Sequence, residues 1–484
     1  MTNPVLPGFH PDPSVCRAGD HYYLAASSFE YVPGVPIHRS ADLVTWEFVG
    51  HALPDAAVVN APVGDAGASS GIFAPTLRHH DGRFWMVTTS IRDYDRGQLI
   101  VHAEDPAGPW SAPVYVEGAA GIDPDLAWGR DGTCLLTWRG NDPAGIHQVA
   151  VDPVTGARLG EPTVIWTGTG LADLEAPHLV RRGDWWYLVV AEGGTHKGHS
   201  VSVARARDPR GPFESHPANP VFSHRSLAHP VQAAGHADLV ERADGSWAAV
   251  YLGIRQEGSF PGFHVLGREA FLAGVEWHDD WPVVVDDAFD VPARDHAWED
   301  RFDGPALDPR WVAPGEAPAS FCETGEGLAL AAGRDADDGE QLRMIAARVL
   351  DRGWEAAAHV PEGDACLSVR IDATHWYGIE RVGGELRARA VSAPFDQVLA
   401  RASAREGDVL AVRAVPTPPG IGAHRSGPDT VALGLEREGA FVELASLDGR
   451  HLSTELAGGF TGRMLGLEAL GGPARVARVT YRPA

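Results

Sequence analysis

A short turn followed by a run of aromatic and apolar residues recurs five times within the first 290 residues. Each turn is a Gly-Asp or Asp-Gly pair, and each run has the composition that is typical of a β-strand. The turns lie at Asp20, Asp81, Asp131, Gly183 and Asp244. Because such pairs tolerate the positive φ angles of a tight turn, the pattern predicts five β-hairpins.

The spacing of these turns is about 50–60 residues, which suits one four-stranded unit per repeat. Five such units predict a five-bladed β-propeller over residues 1–290. Asp-Gly turns are common in unrelated folds, but here the strand pattern recurs together with the turn. The 56 glycines and 37 prolines of the chain also suit many short strands joined by tight turns.

One position of the repeat is rich in ionisable residues. Eight residues before the five turns stand Asp12, Phe73, Asp123, Glu175 and His236. Equivalent positions of successive blades lie at equivalent places around a propeller axis, so these side chains would converge if they lay on the innermost strands. Since a buried gathering of carboxylates is costly, the phase of the repeat predicts a functional site there.

The region from 298 to 484 lacks the repeat and has a different pattern of apolar and polar residues. Short runs alternate apolar and polar residues, as in Cys366–Ile371 and Thr430–Leu435. This alternation predicts an antiparallel β-sandwich of two sheets. A Pro- and Gly-rich loop is expected over 416–427. The ionisable residues of this region follow no repeat and single out no site.

Charge and composition exclude several function classes. The formal net charge is −25, which disfavours nucleic acid as a partner. The four cysteines form no CxxC pair, so zinc-finger spacing is absent and a disulfide framework is not expected. The first residues lack the pattern of a secretory signal, and no apolar run is long enough to span a membrane, so a cytoplasmic location is expected.

The repeat-phase residues lie in distinctive strings. These are GFHPDPS at 8–14, GIDPDL at 121–126, LEAPHL at 174–179 and GHADLV at 235–240, with FEYVPGVP at 29–36, AEGGT at 191–195 and LGRE at 266–269. Together they resemble glycoside hydrolase family 43, the β-xylosidase and α-L-arabinofuranosidase group. The resemblance is dense over roughly residues 3–285. Beyond 298 it is looser and looks like the concanavalin-like C-terminal sandwich of the β-xylosidase branch.

The resemblance implies three catalytic carboxylates. Asp12 matches the general base that activates water, and Glu175 matches the general acid that protonates the leaving-group oxygen. Asp123 matches a third carboxylate that raises the pKa of the acid and holds it in position. Inverting hydrolysis needs the acid and the base about 6.5–9.5 Å apart on opposite faces of the sugar. Asp125 and Asp173 are the neighbouring alternatives, and only the family string separates Asp173 from Glu175.

The resemblance also suggests binding residues. His236 matches a histidine that in some members holds a divalent cation such as calcium, often through water; the alternative is a hydrogen-bonded core histidine. Arg268 matches an arginine that reaches a sugar hydroxyl, with a structural salt bridge as the alternative. Tyr31, Phe73 and Trp138 are candidates for the apolar faces of a one-sugar pocket or for plain core. Phe73 stands where part of the family has tryptophan.

The resulting expectation is an exo-acting, inverting glycosidase that releases xylose from the non-reducing end of β-1,4-xylo-oligosaccharides. It requires no cofactor, and calcium near the axis is left open. The alternatives are an α-L-arabinofuranosidase, a dual-activity enzyme, and a non-catalytic carbohydrate-binding propeller. The partner expected is an oligosaccharide, with no nucleic acid and no membrane. The sandwich is expected to form a wall of the pocket or the interface of a homo-oligomer.

Overall fold

The computed structural model describes residues 3–64, 67–258, 261–332, 342–418 and 426–484. β-Strands dominate the chain, and the prediction of an all-β protein is confirmed. Most of the loop expected at 416–427 lies outside the described residues. The described helices are short, and none is long and apolar enough to cross a membrane. The helical segments are Ala56–Val59, Ile91–Arg96, Pro318–Ser320, Gly449–Leu452 and Thr454–Ala457.

The first 285 residues form five successive antiparallel sheets, each built around a chain-ordered set of four strands. We number them sheets 1 to 5. Sheet 1 contains Ser14–Ala18, His21–Ala25, Gly34–Ser40 and Glu47–Leu53. Sheet 2 contains Thr76–His80, Arg83–Thr88, Gln98–Ala103 and Val114–Val116. Sheet 3 contains Ile122–Trp128, Cys134–Asn141, Ala144–Asp152 and Ala157–Arg158, with Thr163–Trp166 also pairing with the third strand. Sheet 4 contains Glu175–Arg182, Trp185–Glu192, Ser200–Ala206 and Glu214–Ser215, and sheet 5 contains Val231–Glu241, Trp247–Arg255, Glu269–His278 and Trp281–Val285.

The first two strands of every sheet form the hairpin that the turn pattern predicts. Two residues separate the strands in sheets 1, 2 and 4, and five separate them in sheets 3 and 5. Only in sheet 2 do both turn residues have positive φ, 50° at Asp81 and 73° at Gly82. Where the order is Gly-Asp, the glycine alone takes the positive angle, as at Gly19 with φ 59°. The hairpins are therefore confirmed, although their turn types differ.

The first strands of the five sheets contact one another in cyclic order. The first strand of sheet 1 contacts those of sheets 2 and 5, and contacts between the first strands of sheets 2 and 3, 3 and 4, and 4 and 5 complete the ring. The N-terminal segment also reaches the last sheet, because the Val5 amide donates to the Ala270 carbonyl at 2.8 Å. The first strands are thus innermost, and the residues at their starts lie close together.

Among its described residues, the second region contains two six-stranded antiparallel sheets and a three-stranded sheet. One six-stranded sheet has the order Trp298–Asp300, Arg478–Pro483, Trp354–His359, Val409–Pro416, Asp429–Arg437 and Ala440–Asp448. The other has the order Ile345–Arg348, Met464–Ala469, Ala365–Asp372, His375–Val382, Glu385–Ser392 and Phe395–Ser403. The three-stranded sheet contains Cys322–Gly325, Gly327–Leu330 and Ala474–Val476. One apolar cluster, which includes Trp354, Leu367 and Leu433, joins these sheets.

The two regions share buried surface. Tyr31–Val32 pairs with Ala313–Pro314 in a two-stranded ladder. Phe9, Phe29 and Met464 belong to a single apolar cluster that includes residues of both regions. The second region is therefore packed against the end of the ring at which the innermost strands start, and it is in a position to contribute to a site there.

Candidate active site

The innermost strands are irregular where the predicted site residues lie. Asp12, Asp123 and His236 have positive φ angles of 56°, 54° and 47°, and Ala176 beside Glu175 has 54°. The pairing register shifts at these points in sheets 3, 4 and 5. Left-handed backbone costs a non-glycine residue roughly 1–2 kcal/mol, and bulges beside functional sites redirect side chains. The strain turns these side chains away from the regular alternation of a strand.

These irregular starts surround a small cavity. Its volume is about 80 Å³, well below the roughly 300–1,000 Å³ of sites for drug-sized ligands. The lining residues come from all five sheets and the second region: Asp12, Phe29, Phe73, Ala74, Ile122, Asp123, Glu175, Thr195, His236, Arg268 and Phe460. All five repeat-phase residues are among them, so the structure brings together the residues that the phase singles out.

Asp12 is held as a carboxylate. Its Oδ1 accepts a hydrogen bond from Arg268 Nη1 at 2.9 Å, and its Oδ2 accepts one from the Ser27 hydroxyl at 2.6 Å. Burial acts to raise the pKa of Asp12, but the charge of Arg268 and the Ser27 hydrogen bond outweigh burial and hold the pKa below its ordinary value. Asp12 is therefore ionised at neutral pH and can accept a proton.

The pKa values of Asp123 and Glu175 are raised, in contrast to that of Asp12. Burial raises the pKa of Glu175 to about 8, and the negative charges of Asp123 and Asp12 add to the effect. Burial, reinforced by Asp12, also raises the pKa of Asp123 to about 7. Asp123 Oδ2 accepts a hydrogen bond from the Ala176 amide at 3.1 Å, which ties it to the backbone that carries Glu175. The cavity thus contains one ionised carboxylate and a coupled pair that retains a proton near neutral pH.

The structure separates the candidate carboxylates from their neighbours. Asp125 is fully buried below the cavity, paired with Arg78 at 2.7 Å and bonded to the Leu179 amide at 2.8 Å. Asp173 is exposed and does not line the cavity, although strand alternation alone would point it the same way as Glu175. The positive φ of 51° at Asp173 ends that alternation.

A buried ionic cluster lies beneath the site. Arg78 of sheet 2 contacts Asp125 of sheet 3 and Asp238 of sheet 5, both at 2.7 Å, and lies 3.1 Å from His178 Nδ1 of sheet 4. Ser14 of sheet 1 donates to Asp238 at 2.8 Å. One guanidinium therefore connects the innermost strands through side chains from all five sheets.

His236 lies beside the base. Its Nδ1 is 3.6 Å from Asp12 Oδ1, and burial lowers the pKa of His236 to about 3, so the imidazole is neutral. In the described part of the chain, His236 belongs to no group of three ligand side chains close enough to share a cation. Since Asp12 is already paired with Arg268, these residues do not fit a calcium site made of protein ligands alone, and no catalytic step is assigned to a metal.

Two predicted binding residues do not line the cavity. Tyr31 is buried in the cluster between the two regions, where its ring lies 5.9 Å from that of Phe9. Trp138 is buried within sheet 3, and its Nε1 donates to the Ala120 carbonyl at 3.1 Å. Of the three aromatic candidates, only Phe73 forms a wall. The core alternative left open for Tyr31 and Trp138 is the one that the structure supports.

Other lining residues escaped the sequence reasoning. Within the FEYVPGVP string, Phe29 and not Tyr31 forms a wall of the cavity, because a φ of 48° at Phe29 breaks the strand alternation. Thr195, in the AEGGT string, accepts a hydrogen bond from Arg268 Nη1 at 3.1 Å. Phe460 of the second region stacks on Phe29 with ring centroids 5.9 Å apart.

Phe460 is fixed over the cavity by its flanking residues. Its amide donates to the Ser69 hydroxyl at 2.8 Å, and the Arg463 amide donates to the Val265 carbonyl at 2.9 Å. A Cβ atom at Gly462 would lie 2.3 Å from the Leu266 carbonyl oxygen, so this approach requires glycine. In the sequence, the only local sign of this contact is the glycine-rich run 458–462. Leu266, which Gly462 approaches, is nearly two hundred residues away along the chain.

Comparison with known proteins gives a consistent picture. A family model described as Glycosyl hydrolases family 43 matches residues 1–282. A non-reducing end alpha-L-arabinofuranosidase of Bacteroides ovatus is 43% identical over 288 residues, which are 58% of this chain and 53% of that protein. A beta-xylosidase of Bacillus subtilis is 36% identical over 305 residues, 59% of this chain and 57% of that protein. The matches thus span about half the length of these curated relatives.

Solved structures match over the whole chain. A Bacteroides ovatus protein described as Xyloglucan PUL GH43B has a TM-score of 0.86 at 32% identity, covering 100% of both chains. A xylan beta-1,4-xylosidase from Bacillus halodurans has a TM-score of 0.85 at 28% identity, also covering 100% of both chains. The second region is therefore part of the likeness in structure, although the family model ends at residue 282.

Proposed function

The chain belongs to glycosyl hydrolase family 43, and on that premise we propose that it is an exo-acting, inverting glycosidase that releases xylose from the non-reducing end of β-1,4-xylo-oligosaccharides. The observation that carries the proposal is the cavity in which Asp12, Asp123 and Glu175 meet from three different sheets. The five sheets are taken as the blades of a five-bladed β-propeller over 1–290, and residues 298–484 as a concanavalin-like sandwich. The cyclic contacts of the innermost strands support this architecture.

Asp12 acts as the general base and Glu175 as the general acid of the hydrolysis. Asp12 takes a proton from a water molecule while the water oxygen bonds to the anomeric carbon. Glu175 gives its proton to the glycosidic oxygen as the bond between that oxygen and the anomeric carbon breaks. The products are a free sugar of inverted configuration and the shortened oligosaccharide. Asp12 ends protonated and Glu175 ionised, and exchange with solvent restores both.

The opposed pKa shifts suit these roles. A base must be ionised and an acid protonated at the same pH, which requires two carboxyl groups with well-separated pKa values. Arg268 favours the charged form of Asp12, whereas burial and Asp123 favour the neutral form of Glu175. Asp123 is a positioning residue in this scheme, since it binds the backbone next to Glu175 and raises its pKa.

The walls of the cavity favour attack at a chain end. The volume is small, and Phe29, Phe73 and Phe460 form contacting aromatic faces around it. Apolar ring faces pack against the C–H faces of a sugar, while Arg268 and Thr195 offer hydrogen bonds to its hydroxyls. Such a pocket suits one terminal sugar better than the interior of a polymer.

The relatives point to two candidate substrate classes. Relatives are named as beta-xylosidase, xylosidase/arabinosidase and non-reducing end alpha-L-arabinofuranosidase. Xylopyranose and arabinofuranose present similar hydroxyl patterns, so α-L-arabinofuranosidase or dual activity is the second candidate. A purely carbohydrate-binding propeller is disfavoured because binding alone gives no use for a buried acid and base.

Calcium near the axis and a homo-oligomer remain predictions from the resemblance. A cation near the axis would be held by His236 through water. A cytoplasmic location also remains a prediction. Activity with and without a chelator tests the first of these directly.

A substrate screen tests the proposed function. The purified protein is assayed with nitrophenyl β-D-xyloside and nitrophenyl α-L-arabinofuranoside, and then with β-1,4-xylobiose. We expect kcat/KM to be higher on the xyloside, and xylobiose to be cleaved to xylose. Dominant turnover of the arabinofuranoside would replace the first candidate by the second. Absence of turnover on all three, with sugar binding retained, would favour the non-catalytic alternative.

A further inference from the structure

Two histidines and an aspartate converge at the edge of sheet 5, outside the lining of the cavity. His224 Nε2 lies 3.1 Å and His229 Nε2 lies 3.2 Å from the same oxygen, Asp286 Oδ2. The three ligand atoms all lie within 4.8 Å of one another. In the part of the chain that the structure describes, no other group of His, Cys, Asp or Glu has this spacing.

The hydrogen bonds of His224 direct a lone pair at the carboxylate. His224 Nδ1 lies 2.9 Å from the Val231 carbonyl oxygen, so Nδ1 carries the proton that this bond requires. In the neutral ring, Nε2 is then an acceptor facing Asp286 Oδ2, which is also an acceptor. Two acceptors at 3.1 Å repel each other unless a cation lies between them or the buried ring takes a second proton.

A second imidazole reaches the same oxygen. His229 Nδ1 lies 3.0 Å from the Val231 carbonyl oxygen and 3.2 Å from the Val231 amide nitrogen, so either tautomer has a partner. The two imidazole rings are only 3.9 Å apart between centroids, so both Nε2 atoms and Asp286 Oδ2 face one small space. A single divalent cation in that space would satisfy all three groups.

The surroundings match those of structural metal sites. Metal-bound histidines usually donate their other N–H to a backbone carbonyl, and here Val231 supplies it. Asp286 Oδ1 accepts from the Tyr251 hydroxyl at 2.8 Å, which orients the carboxylate. For ligand bonds of about 2.0–2.1 Å, a tetrahedral zinc site has ligand–ligand distances of about 3.3 Å, close to the 3.1 and 3.2 Å between the two histidine nitrogens and Asp286 Oδ2.

Access from solvent is also present. His224 is buried, but the side chains of His229 and Asp286 are 25% and 26% exposed. A cation can therefore enter from the open side, where water can supply a fourth ligand. Neither exposed group lines the catalytic cavity, so this metal would serve the fold and not the reaction.

We propose that His224, His229 and Asp286 bind one divalent zinc ion that clamps sheet 5. The two histidines precede its innermost strand, Val231–Glu241, and Asp286 directly follows its outermost strand, Trp281–Val285. The ion joins the segment that enters the sheet to the segment that leaves it. Because Val231–Glu241 also carries His236, the clamp stabilises the strand on which one side of the cavity is built.

Zinc binding by the full-length, tag-free protein tests the proposal. The protein is stripped with a chelator, dialysed, and titrated with Zn²⁺ by calorimetry, and its thermal midpoint is measured with and without the metal. We expect one zinc per chain with a dissociation constant of about 10 µM or tighter, and a rise in the midpoint of at least about 2 °C. Substitution of Co²⁺ should give the visible absorption of a tetrahedral site.

Three variants locate the metal. His229→Ala and Asp286→Asn, both at partly exposed positions, should weaken zinc binding at least about 10-fold and abolish the thermal shift. His278→Ala is the matched control, because His278 also contacts a carboxylate, Glu276, at 3.0 Å but lies on the exposed surface. It should bind zinc like the unmodified chain. Failure of the unmodified chain to bind zinc, or equal binding by all three variants, would overturn the proposal.

Discussion

Replacing Glu175 with glutamine is expected to lower kcat on β-1,4-xylobiose by roughly 10²–10⁴-fold, the usual contribution of a general acid. The loss should be smaller on a nitrophenyl glycoside, because nitrophenolate leaves without needing a proton. Steady-state kinetics on both substrates measure the difference. Asp173→Asn is the matched control, since Asp173 stands two residues away but is exposed and outside the cavity. Equal losses on both substrates would remove Glu175 from the role of acid.

The pH profile gives a second test of the same residue. Because the pKa of Glu175 is raised to about 8, kcat/KM of the unmodified enzyme should fall as the pH rises through that value and the acid loses its proton. At low pH, activity should persist below the pH at which an ordinary aspartate becomes protonated, because the pKa of Asp12 is lowered. In Glu175→Gln the alkaline fall near pH 8 should disappear. Its persistence would assign that fall to another group.

The glutamine variant should also be the more stable protein. The folded-state pKa of Glu175 lies above its ordinary value of 4.5, so the folded chain binds more protons than the unfolded chain between 4.5 and about 8. The stability of the unmodified protein therefore falls as the pH rises through this window, whereas glutamine carries no such loss. At neutral pH we expect a gain of about 1–3 kcal/mol for Glu175→Gln, and no gain below pH 4.5. Chemical denaturation at the two pH values measures it.

Replacing Arg78 with methionine is expected to destabilise the protein by about 3–5 kcal/mol. The change leaves Asp125 and Asp238 buried without the guanidinium that each contacts at 2.7 Å. Lysine keeps the charge but cannot reproduce the two-pronged contact, so Arg78→Lys should have an intermediate effect. The free energy of unfolding, measured by denaturant titration at neutral pH, separates the three proteins.

An exposed arginine provides the control for Arg78. Arg130 contacts Asp184 at 3.0 Å, and both side chains are largely exposed. Because surface ion pairs are worth about 0–1 kcal/mol, Arg130→Met should change stability little. A loss below 1 kcal/mol for Arg78→Met as well would contradict the view that one buried cation holds the five innermost strands together.

Local sequence signals predict the scaffold well because hairpins depend on neighbouring residues. Turn pairs such as Asp81-Gly82 fix where strands reverse, and the repeat period then places equivalent residues at equivalent points of the ring. For that reason Asp12, Asp123 and Glu175 could be grouped without knowing any contact between sheets. The grouping used only the phase of the repeat and the family strings.

The positions of the remaining site residues cannot be inferred from the residues next to them in the sequence. Strand alternation fails at Phe29 and Asp173, where positive φ angles redirect the chain. Phe460 reaches the cavity through packing between regions distant in sequence, and Arg78 gains its role only when four other sheets surround it. Trp138 is a candidate as an aromatic residue for the face of a sugar pocket, but its ring is packed in the core of sheet 3.

The anomeric configuration of the first product tests the central claim most directly. Proton NMR of xylose released from nitrophenyl β-D-xyloside, which yields a single sugar, reports which face the water attacks when it is recorded before mutarotation equilibrates the anomers. An acid and a base with an ordered water between them predict that the α anomer appears first. Initial accumulation of the β anomer would contradict the assignment of Asp12 as base and Glu175 as acid in a single inverting step.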